Sequence, residues 1–284
     1  MNHRALIVSA LTLLVASASH ADEKTTMEKM AQEHKHDKPA ATAAATTPPA
    51  QEVTGQEVVY ATVAGKPVKG FLARPKNAKG PLPGIIVIQE WWGLNDNIRQ
   101  MAQRLAGEGY TALAVDLYQG ATADTPDKAK ELVKAAMGRT PELQENLKQA
   151  YNYLETKEKA PKIGVIGWCF GGGWSLQTAL LLPEKIDATV MYYGWLEPDK
   201  AKLGTLRMPV LAFFGGKDQS IPVADVREFE KTLKDLGKPA EVRIYDDANH
   251  AFANPSGGNY NEAAAKDSWQ RTTAFFAKNL KTGK

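Results

Sequence analysis

The stretch IGVIGWCFGGGW, Ile163 to Trp174, decides the fold. Its β-branched run (Ile163, Val165, Ile166) has the character of a strand buried on both faces, as in a covered parallel sheet. The run stops at Gly167. Gly171, Gly172 and Gly173 then open a helix expected from Trp174 to Leu182, closed by Pro183. Between strand and helix stands Cys169, flanked as Gly167-Trp-Cys169-Phe-Gly171. That is the glycine-bracketed elbow that holds a nucleophile on a strained strand-to-helix turn, with sulfur in place of a serine oxygen. Neighbours without Cβ atoms let the backbones approach closely, and a helix N-terminus favours thiolate over thiol. A buried cysteine in a tight turn is the plain alternative. A nucleotide-binding loop is excluded by spacing, because neither G-x-G-x-x-G nor GK[ST] is present.

The surrounding chain has 284 residues, 43% hydrophobic and 24% charged, enough for a full core. A net charge of +3 without clustered cations argues against nucleic-acid binding. Residues 1–21 have the pattern of a secretory leader: Arg4, an apolar run from Ala5 to Ala16, then Ser19-His20-Ala21 as a cleavage site. The apolar run is too short to span a bilayer. The expectation is an exported, periplasmic protein cut after Ala21, with no membrane span in its mature form. Such a protein with a single cysteine exposes a thiol to oxidation, which favours a functional reason for it.

Residues 22–52 are rich in Lys, Ala, Thr and Pro and carry few large apolar side chains. They read as a disordered tether. His34 and His36 fall there, where loose metal capture is weighed against a solvated tail, and the solvated tail is preferred. From Val53 the pattern changes. Two β-rich runs, 56–63 and 68–75, flank Gly65-Lys66-Pro67 as a hairpin. Apolar strands then follow at GIIVIQ, YTALAVD, the elbow strand, IDATVMYY, MPVLAFFGG and AEVRIYD. Helical patterns separate them, capped near Asn95 or entered at Pro126 and Pro141, and the last runs to about Leu280. This alternation predicts one α/β domain over 53–284, a mostly parallel sheet covered on both faces, with antiparallel strands at its N-terminal edge.

Ligands of such sheets collect beyond the carboxyl ends of the strands. Placed there by sequence are Glu90-Trp91-Trp92, Asp116 to Tyr118, Cys169, Asp218, and the loop from Asp246 to His250. Within the expected domain His250 is the only histidine and Cys169 the only cysteine. The order nucleophile, acid, histidine is the α/β-hydrolase order. Asp218 is preferred over Asp246 and Asp247 as the acid, because GGKD follows a strand directly.

The motifs QEWWGLN (89–95), VDLY (115–118), GWCFGGG (167–173), GGKDQSIP (215–222) and DDANHAF (246–252) together resemble the dienelactone hydrolases, cysteine-dependent members of the α/β-hydrolase superfamily. The resemblance covers about residues 55–280. It implies a triad of Cys169, Asp218 and His250, with Glu90 contacting the resting thiol and taking its proton when substrate arrives. The backbone N–H groups of Trp91 and Phe170 are the expected oxyanion hole. Two arginines that hold the substrate carboxylate in that family fall at Gly120 and Asn254 here, and Arg139 or Lys217 are the candidate substitutes. Trp92, Tyr118 and Phe252, with Trp91, Tyr193 and Trp195, are candidate pocket aromatics.

The expected chemistry is hydrolysis of a lactone or activated ester through a thioester, by a monomer that needs no cofactor and no metal. The small-molecule substrate is the only partner implied. A binding module that keeps the hydrolase fold for ligand capture is the alternative, motivated by the two missing arginines. Acyl transfer or peptide cleavage from the same site is a weaker third reading.

Overall fold

The computed structural model of the chain describes residues 28–29, 31–34 and 47–281. The expected leader and His36 lie outside the described residues. β1 (Val53–Val63) and β2 (Lys66–Pro75) form the leading hairpin. Its turn is Ala64-Gly65, both at positive φ (48° and 75°), the twist-matched two-residue type rather than a turn over Gly65 to Pro67. The remaining strands are β3 (Gly84–Ile88), β4 (Thr111–Ala114), β5 (Ile163–Trp168), β6 (Ala188–Tyr192), β7 (Val210–Gly215) and β8 (Ala240–Tyr245). They form one sheet in the order β1-β2-β4-β3-β5-β6-β7-β8. β1 and β2 are antiparallel, as are β2 and β4, and every later pairing is parallel. The expected α/β-hydrolase architecture, antiparallel at its N-terminal edge, is therefore present.

The helices are α1 (Asp96–Gly107), α2 (Pro126–Met137), α3 (Thr140–Thr156), α4 (Phe170–Leu181), the short α5 (Lys200–Leu203), α6 (Val223–Asp235) and α7 (Glu262–Leu280). Asn95 caps α1 by accepting from Ile98 N at 3.2 Å, and Thr125 with Pro126 starts α2. The register shows how the sheet is covered. Gly84 and Ile163 lie side by side, and a side chain at Gly84 would meet Leu154 of α3. One residue on, a side chain at Gly164 would meet Phe276 and Leu280 of α7. Successive strand residues point to opposite faces, so α3 and α7 cover opposite sides. α1 joins α7 on its side, with the Arg104 guanidinium 4.1 Å from the Trp269 ring.

β3, β5, β6 and β7 are wholly buried, which is why their sequences are continuous apolar runs rather than alternating ones. The strand order fixes the place of chemistry. From β3 the chain steps outward to β4, then returns to the other side of β3 at β5. Strands on either side of such a reversal diverge at their carboxyl ends and open a crevice. Here that crevice lies between the loop from Gln89 and the turn at Cys169. Among the described residues no helix is long and apolar enough to cross a membrane.

Candidate active site

Cys169 joins β5 to α4 with φ 54° and ψ −116°, a conformation that non-glycine residues rarely hold. Two close approaches keep it there. A Cβ on Gly167 would overlap the carbonyl of Gly171, and one on Gly171 would overlap the carbonyls of Ile88 and Gln89. The elbow is thus pressed against its own helix and against the end of β3. α4 begins at Phe170, four residues before the position expected from sequence, so the three glycines form its first turn. Their poor helix propensity gives way to the space that the β3 end denies to any side chain.

The turn after β7 brings in the acid. Asp218 Oδ1 accepts from the backbone N–H of Ser220 and Ile221, each at 2.8 Å. Its Oδ2 lies 2.8 Å from His250 Nδ1. Both side chains are fully buried. Asp247, a competing candidate, pairs instead with Lys217 at 3.0 Å on the surface. With Nδ1 engaged by Asp218, the other ring nitrogen, Nε2, is left for Cys169, whose sulfur lies within 4.8 Å of an imidazole nitrogen.

The electrostatics of the pair follow. Burial alone pushes the Cys169 thiol up, but the His250 charge and hydrogen bond, with a lesser contribution from His34, bring it down from 9.0 to about 6. Burial works against a charged His250. The carboxylate of Asp218, then the thiolate, outweigh it and hold the imidazole well above 6.5. Both directions favour a thiolate–imidazolium pair over a neutral one.

His34 is the residue that sequence reasoning misplaced. Instead of a solvated tail, residues 31–33 form a helical turn and His34 is buried at 1% exposure. Its ring centre lies 4.7 Å from that of Trp91, 6.2 Å from Trp92 and 5.4 Å from His250, and one of its nitrogens is within 4.8 Å of the Cys169 sulfur. Glu33 anchors the segment: its carboxylate accepts from Gln219 N at 3.0 Å and from Ser220 Oγ. His250 is therefore not the only imidazole at the sulfur. A signal was present: Met27, Met30, Ala31 and His34 recur at helical spacing, one stripe in an otherwise polar stretch. Ala31 packs against the core.

Glu90 is 5% exposed, and its Oε2 accepts from Asn254 Nδ2 at 3.0 Å. Trp91 follows it at the mouth of β3, and Phe170 is the first residue of α4, where backbone N–H groups have no partner within the helix. Tyr118 packs on Phe170 with ring centres 5.4 Å apart. Its hydroxyl is held well above 10, chiefly by burial and next by the nearby Cys169 charge. Asp116, which sequence placed only as a strand end, shapes that loop by accepting from the N–H of Tyr118 at 2.8 Å and from that of Gly120. Trp92 stacks edge-on with Trp91. Phe252 packs among Tyr192, Tyr193 and Tyr245, a core position behind His250 rather than a pocket wall. A cavity of about 460 Å³ opens beyond Glu90 and Asn254, bounded by Arg104, Tyr193 and Trp269. Cys169 and His250 do not line it; the space above them holds His34.

Comparison with known proteins gives the family. The model of the dienelactone hydrolase family matches residues 68–280. Protein usf of Aquifex pyrophilus is 34% identical over 223 residues, covering 76% of this chain and 95% of that protein. A protein named "Putative carboxymethylenebutenolidase" from Escherichia coli (strain K12) is 33% identical over 226 residues, 75% of this chain and 83% of that one. Among solved structures, "Putative Dienelactone Hydrolase" from Klebsiella pneumoniae subsp. pneumoniae MGH 78578 superposes with a TM-score of 0.72 at 31% identity, covering 80% of this chain and 100% of that one.

Proposed function

The chain belongs to the dienelactone hydrolase family, and from that premise we propose that it hydrolyses lactones or activated carboxylic esters through a thioester on Cys169. The observation that carries the proposal is the buried sequence Asp218–His250–Cys169, with 2.8 Å between carboxylate and imidazole and an imidazole nitrogen within 4.8 Å of the sulfur. The thiolate attacks the acyl carbon, and the N–H groups of Phe170 and Trp91 receive the developing oxyanion. His250 passes its Nε2 proton to the leaving oxygen. The neutral imidazole then takes a proton from water, whose oxygen attacks the thioester, and collapse returns the thiolate–imidazolium pair. Asp218 holds the ring in orientation throughout.

We assign Glu90 the family's role of contacting the resting thiol. Its carboxylate is oriented by Asn254, which stands where the family has a substrate-binding arginine. The second such position is Gly120, an exposed glycine. Neither candidate substitute lines the cavity beside Glu90. Arg139 is held by Glu142 at 3.2 Å, and Lys217 by Asp247. The acyl groups accepted by this site are therefore uncharged ones. A matched panel of enol lactones and p-nitrophenyl esters, with and without a second carboxylate, tests this. Neutral substrates are expected to show the higher kcat/KM, and a tenfold preference for the anionic member of each pair would overturn it.

We also propose export, on the leader pattern of residues 1–21. N-terminal sequencing of the protein from its native host is expected to begin at Asp22; a chain still beginning at Met1 would refute it.

A further inference from the structure

The donor atoms of His34, Cys169 and His250 lie within 4.8 Å of one another, and all three side chains are buried. Two imidazoles and a thiolate are a soft donor set that suits zinc and excludes calcium or magnesium. Tetrahedral zinc with bonds of about 2.0–2.3 Å places neighbouring ligand atoms roughly 3.3–3.8 Å apart, so the three donors need to draw together by about 1 Å at most. His250 already has the outer contact that zinc-binding histidines use. Its Nδ1 is bonded to Asp218, whose other oxygen accepts two backbone N–H groups, fixing the ring with Nε2 toward the sulfur. Glu33 could add a carboxylate nearby, since it groups with Asp218 and His250 within the same distance. Its oxygens, however, already accept from Gln219 and Ser220, which makes it the anchor of the segment rather than a ligand.

We propose that His34, Cys169 and His250 bind one zinc ion, with the N-terminal segment supplying the third ligand, and that the hydrolase is silent while the ion is held. The binding half rests only on the donor geometry; the silencing half rests on the function proposed above. On binding, the Cys169 sulfur and the Nε2 lone pair of His250 coordinate the ion, and the imidazolium proton passes to solvent. The sulfur electrons that attack an acyl carbon are then engaged, and the segment bearing His34 is pinned across the crevice. Loss of zinc frees the thiolate and lets the segment leave.

The test uses the full chain, stripped with a chelator and titrated with Co²⁺ as a spectroscopic substitute, then with Zn²⁺ by calorimetry. One ion per chain is expected, with a thiolate-to-cobalt charge-transfer band that Cys169→Ala abolishes. His34→Ala is expected to weaken Zn²⁺ at least tenfold and to shift the zinc concentration for half-inhibition of ester hydrolysis by the same factor. Absence of the charge-transfer band, or His34→Ala binding zinc as tightly as the parent, overturns the site. A zinc-bound protein that hydrolyses as fast as the stripped one overturns the silencing. Should no ester or lactone be turned over at all, the function proposed above fails, and the cobalt band and its dependence on His34 still decide the metal site.

Discussion

Cys169→Ala is expected to lower kcat/KM for p-nitrophenyl acetate by about 10⁴–10⁶-fold, the range seen when a nucleophile that acts as one unit with its base is removed. The residue left cannot form the thioester, and only the oxyanion donors of Phe170 and Trp91 and substrate binding continue to act. Stability should hardly change. Cys169 is 1% exposed, so one heavy atom leaves the core, at a cost on the order of 1 kcal/mol. The strained φ of 54° is shared by alanine and cysteine alike, so backbone strain does not distinguish the two proteins. A loss of that size moves Tm by about 2–4 °C in a domain of this length. The assay is therefore read with a thermal melt beside it. Activity equal to the parent would end the covalent mechanism, while a collapsed melt would turn the result into a folding defect. Cys169→Ser sharpens the reading: a hydroxyl does not ionise beside His250 as the thiol does, so activity should fall steeply even though the geometry is kept.

Much of this site was legible because the sequence places each of its parts at a strand end. Gly167 and Gly171 announced a close approach before any contact was known, and Cys169 between them had few other purposes. Asp218 and His250 follow β7 and β8 directly, and strand ends of a parallel sheet converge on one edge. What sequence could not give was order across the sheet. That β4 lies outside β3, and so creates the crevice, depends on pairings between distant strands that local patterns do not encode. The start of α4 was misjudged because propensity counts against three glycines in a helix, whereas contact with the carbonyls of Ile88 and Gln89 requires them. Phe252 was taken as a pocket wall because it falls near a strand end, but its ring packs on Tyr245 and into the core. The short α5 escaped notice although Asp199 caps it, because four residues carry no periodicity. His34 was the hardest. Its burial rests on ring contacts with Trp91, Trp92 and His250 and on the bonds from Glu33 to Gln219 and Ser220, all to residues more than 50 positions away in sequence.

Asp218→Asn tests the electrostatic half of the site. In the parent, alkylation of Cys169 by iodoacetamide should rise with pH through about 6, three decades of acidity below an ordinary thiol at 9.0. The sign follows from the pair. Asp218 is the largest influence holding the His250 proton against burial, and the charged His250 in turn is the largest influence lowering the thiol. An amide at 218 carries no charge, so the imidazole loses its proton at lower pH. The buried thiol then loses its main counter-charge, and desolvation pushes it back up. The alkylation midpoint is expected to move upward, leaving little reaction at pH 7 where the parent is fully reactive. Hydrolysis should fall by about 10²–10⁴-fold: the upper figure is that for serine triads given a neutral third member, and the lower reflects the greater intrinsic nucleophilicity of sulfur. The amide also has a donor where Oδ2 accepts from Nδ1–H, which favours the wrong tautomer for taking a proton from water at Nε2. Deacylation should consequently slow more than acylation, and a burst of p-nitrophenol followed by a slow steady state would display that difference. An unchanged alkylation midpoint, with hydrolysis intact, would mean that the thiolate is held by the helix end and His34 instead, and that Asp218 only braces the loop.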